Sequence, residues 1–209
     1  MNYLKPDLHI EQPMGVAPAF DDTLTLSVLA SKEPKGKVLD VGTGTGYIAI
    51  YLAKLGFDVD GTDINKSAIS TARRNAEKNN VKCKFFVSDL FSEIKNKYNL
   101  IVFNPPLNDE KSNTSFDILK SLVRKYRILT KISKPIGLYF FKKHRISILT
   151  KFLSSVDKYM AKNGKVLLLL NKSEVSWCKD LIPTIFKTER LTSPIRQDDH
   201  IVLRLSFKK

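Results

Sequence analysis

Cysteine is scarce. The chain of 209 residues has two, Cys83 and Cys178, and no Cys-x-x-Cys or Cys/His spacing that builds a zinc site or a disulfide framework. Both thiols are expected to be buried, reduced and inert, as in a cytosol. Histidine is nearly as rare: His9, His144 and His200 are scattered without metal-like pairing, so no metal centre is expected and they read as ordinary surface or partly buried side chains. Long hydrophobic runs are missing as well. Val166–Leu170 is far too short to span a bilayer, and the first residues, Met-Asn-Tyr-Leu-Lys-Pro-Asp, hold no uninterrupted apolar core. A soluble, cytoplasmic chain with no membrane partner is expected. No repeat, low-complexity tract or linker is visible, so residues 1–209 read as one domain, whose 43% hydrophobic content supplies a core without staples.

Acidic residues are also in short supply, 21 against 35 basic ones, which leaves a net charge of +14. The excess is local. Between Lys111 and Lys151 eleven basic residues face the single acid Asp117, so a basic insertion of about 108–151 carries most of it. A solvated Lys-rich face and a docking patch for RNA or a ribonucleoprotein both fit that composition.

What is present is an alternation of short apolar runs with amphipathic stretches, the rhythm of βαβ units on a mostly parallel sheet. Strands are expected at Lys37–Val41, Phe57–Gly61, Val81–Val87, Leu100–Phe103 and Lys165–Leu170, the last opened by a turn at Lys162-Asn163-Gly164. Helices are expected at Tyr47–Leu55, Lys66–Asn79, Ser115–Leu129 and Ser147–Met160. The tail Ile201–Phe207 alternates apolar and polar residues, the pattern of a strand with one wet face. Ahead of the first strand, Asp21-Asp22-Thr23 opens an N-terminal helix of about 20–31 with an apolar face. It either lies across the mouth of the sheet or merely covers core.

The strongest motif is Leu39-Asp40-Val41-Gly42-Thr43-Gly44-Thr45-Gly46, a strand running into a glycine turn and then a helix. Gly42 permits the bend, and Gly44 lets backbone N–H groups approach a ligand that a Cβ would hold off. The spacing is G-x-G-x-G followed by Tyr47, not G-x-G-x-x-G, and no Gly-Lys-Ser/Thr comes after it, which disfavours nicotinamide dinucleotides and ATP. About twenty residues on, the second strand closes in Val59-Asp60-Gly61-Thr62-Asp63, where a ribose diol would lie. Asp63 is the expected ribose ligand; Asp60 is its nearest competitor, and helix capping, shared with Asn65, is the plainer role. The third strand ends in Ser88-Asp89-Leu90. Asp89 is placed to accept from an adenine amino group with Leu90 packing on the ring, or else Ser88 or Asp89 serves as the N-cap of a helix.

The most discriminating element is Asn104-Pro105-Pro106-Leu107 at the end of the fourth strand. Two prolines remove donors and stiffen the turn, so the Asn104 side-chain oxygen and the Pro105 carbonyl can act as paired acceptors. An amide or aromatic amino nitrogen is a poor nucleophile because its lone pair is delocalised. Gripping both of its N–H bonds turns that lone pair toward an electrophile, which is catalysis by positioning and needs no strong base beforehand.

Together these residues resemble the class I S-adenosylmethionine-dependent methyltransferases, and more closely the HemK-like family of glutamine methyltransferases that act on the GGQ loop of translation release factors. The likeness runs from about Gly15 to Leu107, with weaker agreement at Lys165–Leu170 and the tail. It implies a doubly wound α/β fold with a mostly parallel seven-stranded sheet and S-adenosyl-L-methionine as cofactor. By carry-over, Thr23 approaches the methionine end; Asp40, Gly42, Gly44 and Gly46 line the cofactor turn; Asp63 takes the ribose; and Asp89 and Leu90 take the adenine. Asn104 faces both cofactor and substrate amide, with Pro105 and Pro106 beside it. Leu107 stands where the family usually carries tyrosine, and Asn108–Lys143 has no recognised counterpart. The compact branch of the family often works with a small zinc-binding activator subunit. Two other functions fit the motifs. One is N-methylation of an adenine or guanine in ribosomal or transfer RNA, with Phe103, Phe116, Tyr139 or Phe140 stacking on a flipped base. The other is a non-catalytic cofactor-binding scaffold, against which the intact Asn104-Pro105-Pro106 argues.

Overall fold

The structure, a computed structural model, describes residues 6–16, 21–106, 145–192 and 200–208. The expected helix at Ser115–Leu129 and Leu107 lie outside the described residues, as does most of the basic segment. In chain order the elements are α1 (Asp21–Ser31), β1 (Lys37–Val41), α2 (Tyr47–Lys54), β2 (Asp58–Asp63), α3 (Lys66–Lys78), β3 (Cys83–Val87) and β4 (Tyr98–Phe103). After them come α4 (residues 145–153), a 3-10 turn at Val156–Tyr159, β5 (Met160–Asn171), α5 (Lys172–Leu181), β6 (Phe186–Leu191) and β7 (His200–Phe207).

The seven strands form one sheet in the order β3-β2-β1-β4-β5-β7-β6. β7 is antiparallel to both its neighbours, and the other pairs are parallel. Side chains of successive strand residues point to opposite faces, and the core divides accordingly. Val38, Leu100, Val102, Leu167 and Leu169 pack under α1, α2 and α3. Leu39, Val41, Ile101, Phe103, Val166, Leu168 and Leu170 pack on the other face with Leu149, Phe152 and Leu153 of α4 and Cys178 of α5. A sheet covered on both sides explains why its central strands read as unbroken apolar runs. Cys178 is buried as expected but Cys83 only partly so; burial pushes the Cys83 thiol up to about 12 and that of Cys178 to about 11, so both stay protonated.

Several boundaries differ from the sequence-based expectation. β2 runs on to Asp63, so the acid is the last residue of the strand. The helix expected over Ser147–Met160 ends at residue 153, and Lys162-Asn163-Gly164 is not a turn but the interior of β5. There the pairing slips between Tyr98↔Met160 and Leu100↔Lys165. A Cβ on Gly164 would sit 2.9 Å from the carbonyl oxygens of Ala161 and Tyr98, which is why glycine occupies the bulge. The wet face expected of the tail is confined to Arg204, Ser206 and Phe207. Ile201, Val202 and Leu203 are all buried, because β7 lies inside the sheet between β5 and β6.

The segment before α1 is held by two asparagines, Asn75 of α3 and Asn79, its C-cap. Asn79 exchanges hydrogen bonds with His9, its Oδ1 accepting from the backbone N–H at 3.0 Å and its Nδ2 donating to the carbonyl at 2.8 Å. Asn75 does the same for Glu11, at 2.9 and 3.1 Å, and its Nδ2 also donates to the Thr45 carbonyl in the glycine turn at 2.9 Å. Residues four apart on a helix rise about 6 Å, and residues two apart on an extended chain advance about 6.6 Å, so the two partners match in step. Asn75→Ala removes three hydrogen bonds, one buried and two part-buried, and is expected to cost roughly 2–3 kcal/mol. Denaturant unfolding checks the loss, and limited proteolysis should show residues 6–16 cut sooner than in the wild type.

Candidate active site

Register sets the site. Val41 pairs with Thr62 on one side and with Phe103 on the other, and Asp63 pairs with Val87. The carboxyl ends of β1, β2, β3 and β4 therefore finish level, and Gly42, Asp63, Ser88 and Asn104 emerge along one rim. Strand order reverses between β1 and β4, the switch point where open α/β sheets bind ligands.

The glycine turn is built from backbone that only glycine adopts without strain. Gly42 has φ +67° and Gly46, the N-cap of α2, has φ +83°. At Gly46 an added Cβ would also come within 3.0 Å of Ala72 on α3. The Thr43 N–H donates to the Thr62 carbonyl at 2.8 Å, and the Gly44 N–H donates to Asp63 Oδ2 at 2.9 Å. Asp63 Oδ1 accepts the Asn65 N–H at 2.9 Å, while Asn65 Oδ1 accepts from Ser67 and caps α3. Asn65, not Asp63, is thus the helix cap. Asp60 is structural: it points into the protein and takes the Tyr98 hydroxyl at 2.8 Å and Lys37 Nζ at 3.3 Å.

Beneath the turn lies Asp40, 1% exposed. Its Oδ2 accepts the Thr43 hydroxyl at 2.7 Å, and its Oδ1 is buried without a partner. Burial, with a smaller push from the charge of Asp63, raises the Asp40 carboxyl to about 7. Asp63 is raised by burial as well.

On the other side of the switch point, the amino end of α1 meets the Asn-Pro-Pro turn. Asp22 Oδ1 accepts the Thr23 N–H at 2.7 Å and its hydroxyl at 3.3 Å. Asn104 Nδ2 donates to Asp22 Oδ2 and to Thr23 Oγ1, both at 3.4 Å. A carboxylate can only accept, so the amide NH2 must face α1, which leaves Asn104 Oδ1 directed away from it. Both expectations for the N-terminal helix hold together: its first turn reaches the mouth, and Leu26, Val28, Leu29 and Ala30 cover core.

Asp89 and Leu90 sit apart from this network. Asp89 is exposed at the end of β3, and turns follow instead of the helix that Ser88 or Asp89 was expected to cap; within them the Ser88 hydroxyl takes the Glu93 N–H. Leu90 holds φ +53°, an uncommon and costly conformation for leucine. Phe103, one of four aromatics considered for base stacking, is buried with its ring centroid 4.5 Å from that of Phe152, so it does not face the mouth. The other three lie outside the described residues.

Three features were not anticipated. Ile64, beside Asp63, is 44% exposed and gives the rim an apolar patch. Arg145, counted by sequence within the solvated basic segment, is buried and pairs with buried Glu174 of α5. Its guanidinium also reaches the carbonyls of Pro105 and Pro106. Only the capping pattern at Asn171, with Glu174 three residues on, hinted at this arrangement.

Asp22, Asp40 and Asp63 are thus three buried carboxylates at one rim, and among the described residues no cation pairs with any of them. Burying an unpaired carboxylate is unfavourable, and either a proton, as at Asp40, or a positive ligand relieves it. A ligand with an ammonium group, a sulfonium centre and a ribose diol suits such a rim. The fold and the relatives of this chain define a class I S-adenosylmethionine-dependent methyltransferase. Residues 21–131 match the model of the methyltransferase small domain, and the chain belongs to that family. Over 200 residues it is 32% identical to a Methanocaldococcus jannaschii protein named as a protein N5-glutamine methyltransferase, covering 93% of this chain and 92% of that one. It is 30% identical over 170 residues to the release factor glutamine methyltransferase of Streptococcus pneumoniae, covering 79% of this chain and 56% of that one. Against the ribosomal RNA small subunit methyltransferase C of Alcanivorax borkumensis it is 35% identical over 88 residues, which is 42% of this chain and 27% of the relative. Among solved structures, the ribosomal protein L11 methylase of Lactobacillus delbrueckii superposes with a TM-score of 0.67 at 21% identity, covering 94% of this chain and 83% of that one. Among the described residues no helix is long and apolar enough to cross a membrane.

The raised carboxyl of Asp40 ties stability to pH. Unfolded, the group releases its proton near 3.8; folded, it keeps it to about 7. Its contribution is full below the lower value and is lost as pH rises through the upper one, on the order of a few kcal/mol in all. Asp40→Asn is expected to flatten the decline in melting temperature of the cofactor-free protein between about pH 4 and pH 7, relative to wild type.

Proposed function

We propose that the chain transfers a methyl group to the side-chain amide nitrogen of a glutamine in a translation release factor or a similar protein. The observation that carries the reading is the orientation of Asn104. With its Nδ2 committed to Asp22 and Thr23, its Oδ1 remains as an acceptor, and the Pro105 carbonyl, which takes one bond from Arg145, keeps a second lone pair. These two oxygens accept the two N–H bonds of a planar amide and hold its lone pair to one side. When bound, S-adenosylmethionine supplies an electrophilic methyl group there. No strong base is needed before attack, because the nitrogen becomes acidic only as the new bond forms and then gives its proton to solvent. The near full-length similarity to an archaeal relative named for glutamine methylation supports the same acceptor.

For the cofactor, we assign the ribose to Asp63, which has lone pairs to spare beyond its two backbone bonds. Asp89 takes the adenine amino group, and Leu90 and Ile64 supply apolar contact. Gly42, Gly44 and Gly46 give the close backbone, with Asp40 beneath them, and Thr23 approaches the methionine end. Asp63→Ala should weaken S-adenosylmethionine binding by roughly 1.5–3 kcal/mol through lost charged hydrogen bonds. Titration calorimetry measures this, and unchanged affinity would remove Asp63 from the site. Asn104→Ala should lower turnover by a factor on the order of 100 with cofactor affinity almost unchanged.

The second reading is methylation of an exocyclic amino nitrogen in RNA, which the same pair of acceptors accommodates and which the similarity to an rRNA methyltransferase favours. The two are separated by methyl transfer from labelled cofactor into an extract of cells lacking the protein. Label in a release factor that survives RNase is the expected result; label lost with RNase transfers the assignment to RNA.

A further inference from the structure

We propose that Arg145 is a positioning residue for methyl transfer, which, paired with Glu174, sets the direction of the Pro105 and Pro106 carbonyls. This role rests on the acceptor grip assigned to Asn104 and Pro105. The chain has a specific problem at this turn. Pro105 and Pro106 carry no backbone N–H, so the turn cannot be fixed by donors of its own, and its carbonyls must be held from outside. Arg145, at the start of α4, supplies what is missing. Its Nη1 donates to the Pro105 carbonyl at 2.7 Å and to the Pro106 carbonyl at 2.9 Å, so each of its two N–H bonds has one oxygen.

The other edge of the guanidinium is fixed equally firmly. Nη2 donates to Glu174 Oε2 at 2.9 Å, and Nε donates to Oε1. Glu174 is anchored in turn, because its Oε2 also takes the Asn171 N–H at 2.9 Å in the capping box of α5. A planar fork held along one edge has no freedom to swing, so its free edge defines where the two carbonyls point. Charge is handled at the same time. Glu174 neutralises the guanidinium, so the turn is held by a cation without net positive charge being left beside a site for a positively charged methyl donor. Chain path is affected too. The 2.9 Å bond joins Pro106 to a residue 39 positions further along the chain.

A buried ion pair can also be merely structural, and the test separates the two roles. In Arg145→Lys the point charge persists but the fork is lost. The expected result is at least a tenfold fall in the rate of labelling of the wild-type acceptor at saturating cofactor, with the Kd for S-adenosylmethionine within twofold. In Arg145→Met with Glu174→Met both charges leave together, which spares the fold an unpaired buried ion. This double variant should regain melting temperature relative to Arg145→Met alone, yet stay at least tenfold slow. Wild-type rates in either Arg145→Lys or a stable double variant would overturn the proposal. If the double variant does not fold, Arg145→Lys decides. A second readout needs no acceptor: with 13C-labelled proline, the carbonyl resonances of Pro105 and Pro106 should shift in Arg145→Lys, and unshifted resonances would equally overturn the clasp. Wild-type protein that labels neither protein nor RNA would sink glutamine and RNA methylation alike, while the resonances still judge Arg145.

Discussion

Level strand ends are the constraint on which the site depends. Parallel pairing of β1 with β2 and β4 brings Val41, Thr62 and Phe103 abreast, and neighbouring strands lie about 4.8 Å apart. Gly42, Asp63, Ser88 and Asn104 then come within one residue of a strand end. A slip of one residue in β2 would turn Asp63 to the opposite face of the sheet, and the Gly44 N–H would lose its carboxylate. The glycine turn, the acid and the asparagine are therefore one construction, assembled by sheet register and not by three independent loops.

Two opposite treatments of buried charge meet at this rim. Arg145 and Glu174 are paired and hydrogen-bonded on all sides, the arrangement that makes ionic groups tolerable in an interior. Asp22, Asp40 and Asp63 have hydrogen bonds but no countercharge among the described residues. The first arrangement fixes a shape. The second stores unfavourable electrostatics that a cationic ligand relieves, so binding stabilises the fold by linkage.

How much of this was legible in the sequence depended on whether the signal was local. The strand-to-helix passage at Asp40–Gly46, the acid closing β2 and the Asn104-Pro105-Pro106 turn each sit in a few consecutive residues, and the structure brings them to one rim. The N-terminal helix was legible too, although its burial on most sides obscured which way it faced. Long-range pairings were not. Arg145 looked like one more cation in a basic stretch, because composition does not reveal that Glu174 lies across from it. β6 went unassigned, since an edge strand reading Lys-Thr-Glu-Arg at its exposed centre has no alternation to detect. Lys162-Asn163-Gly164 has turn chemistry, yet neighbouring strands pull it into β5 as a bulge, where tertiary pairing outweighs local preference.

The clasp between Arg145 and Glu174 has a bearing on how the molecule comes into being. The groups around the cofactor turn, Asp22, Asp40, Gly44 and Asp63, all lie within the first third of the chain, whereas the Asn-Pro-Pro turn is held by partners 40 residues on at Arg145 and a further 29 at Glu174. Synthesis proceeds from the amino terminus, and contacts of large sequence separation form late because chain entropy opposes them. A nascent chain thus holds every residue of the cofactor turn while the clasp of its acceptor turn is still unmade. The turn therefore reaches its native geometry only once α5, which begins at Lys172, has been made.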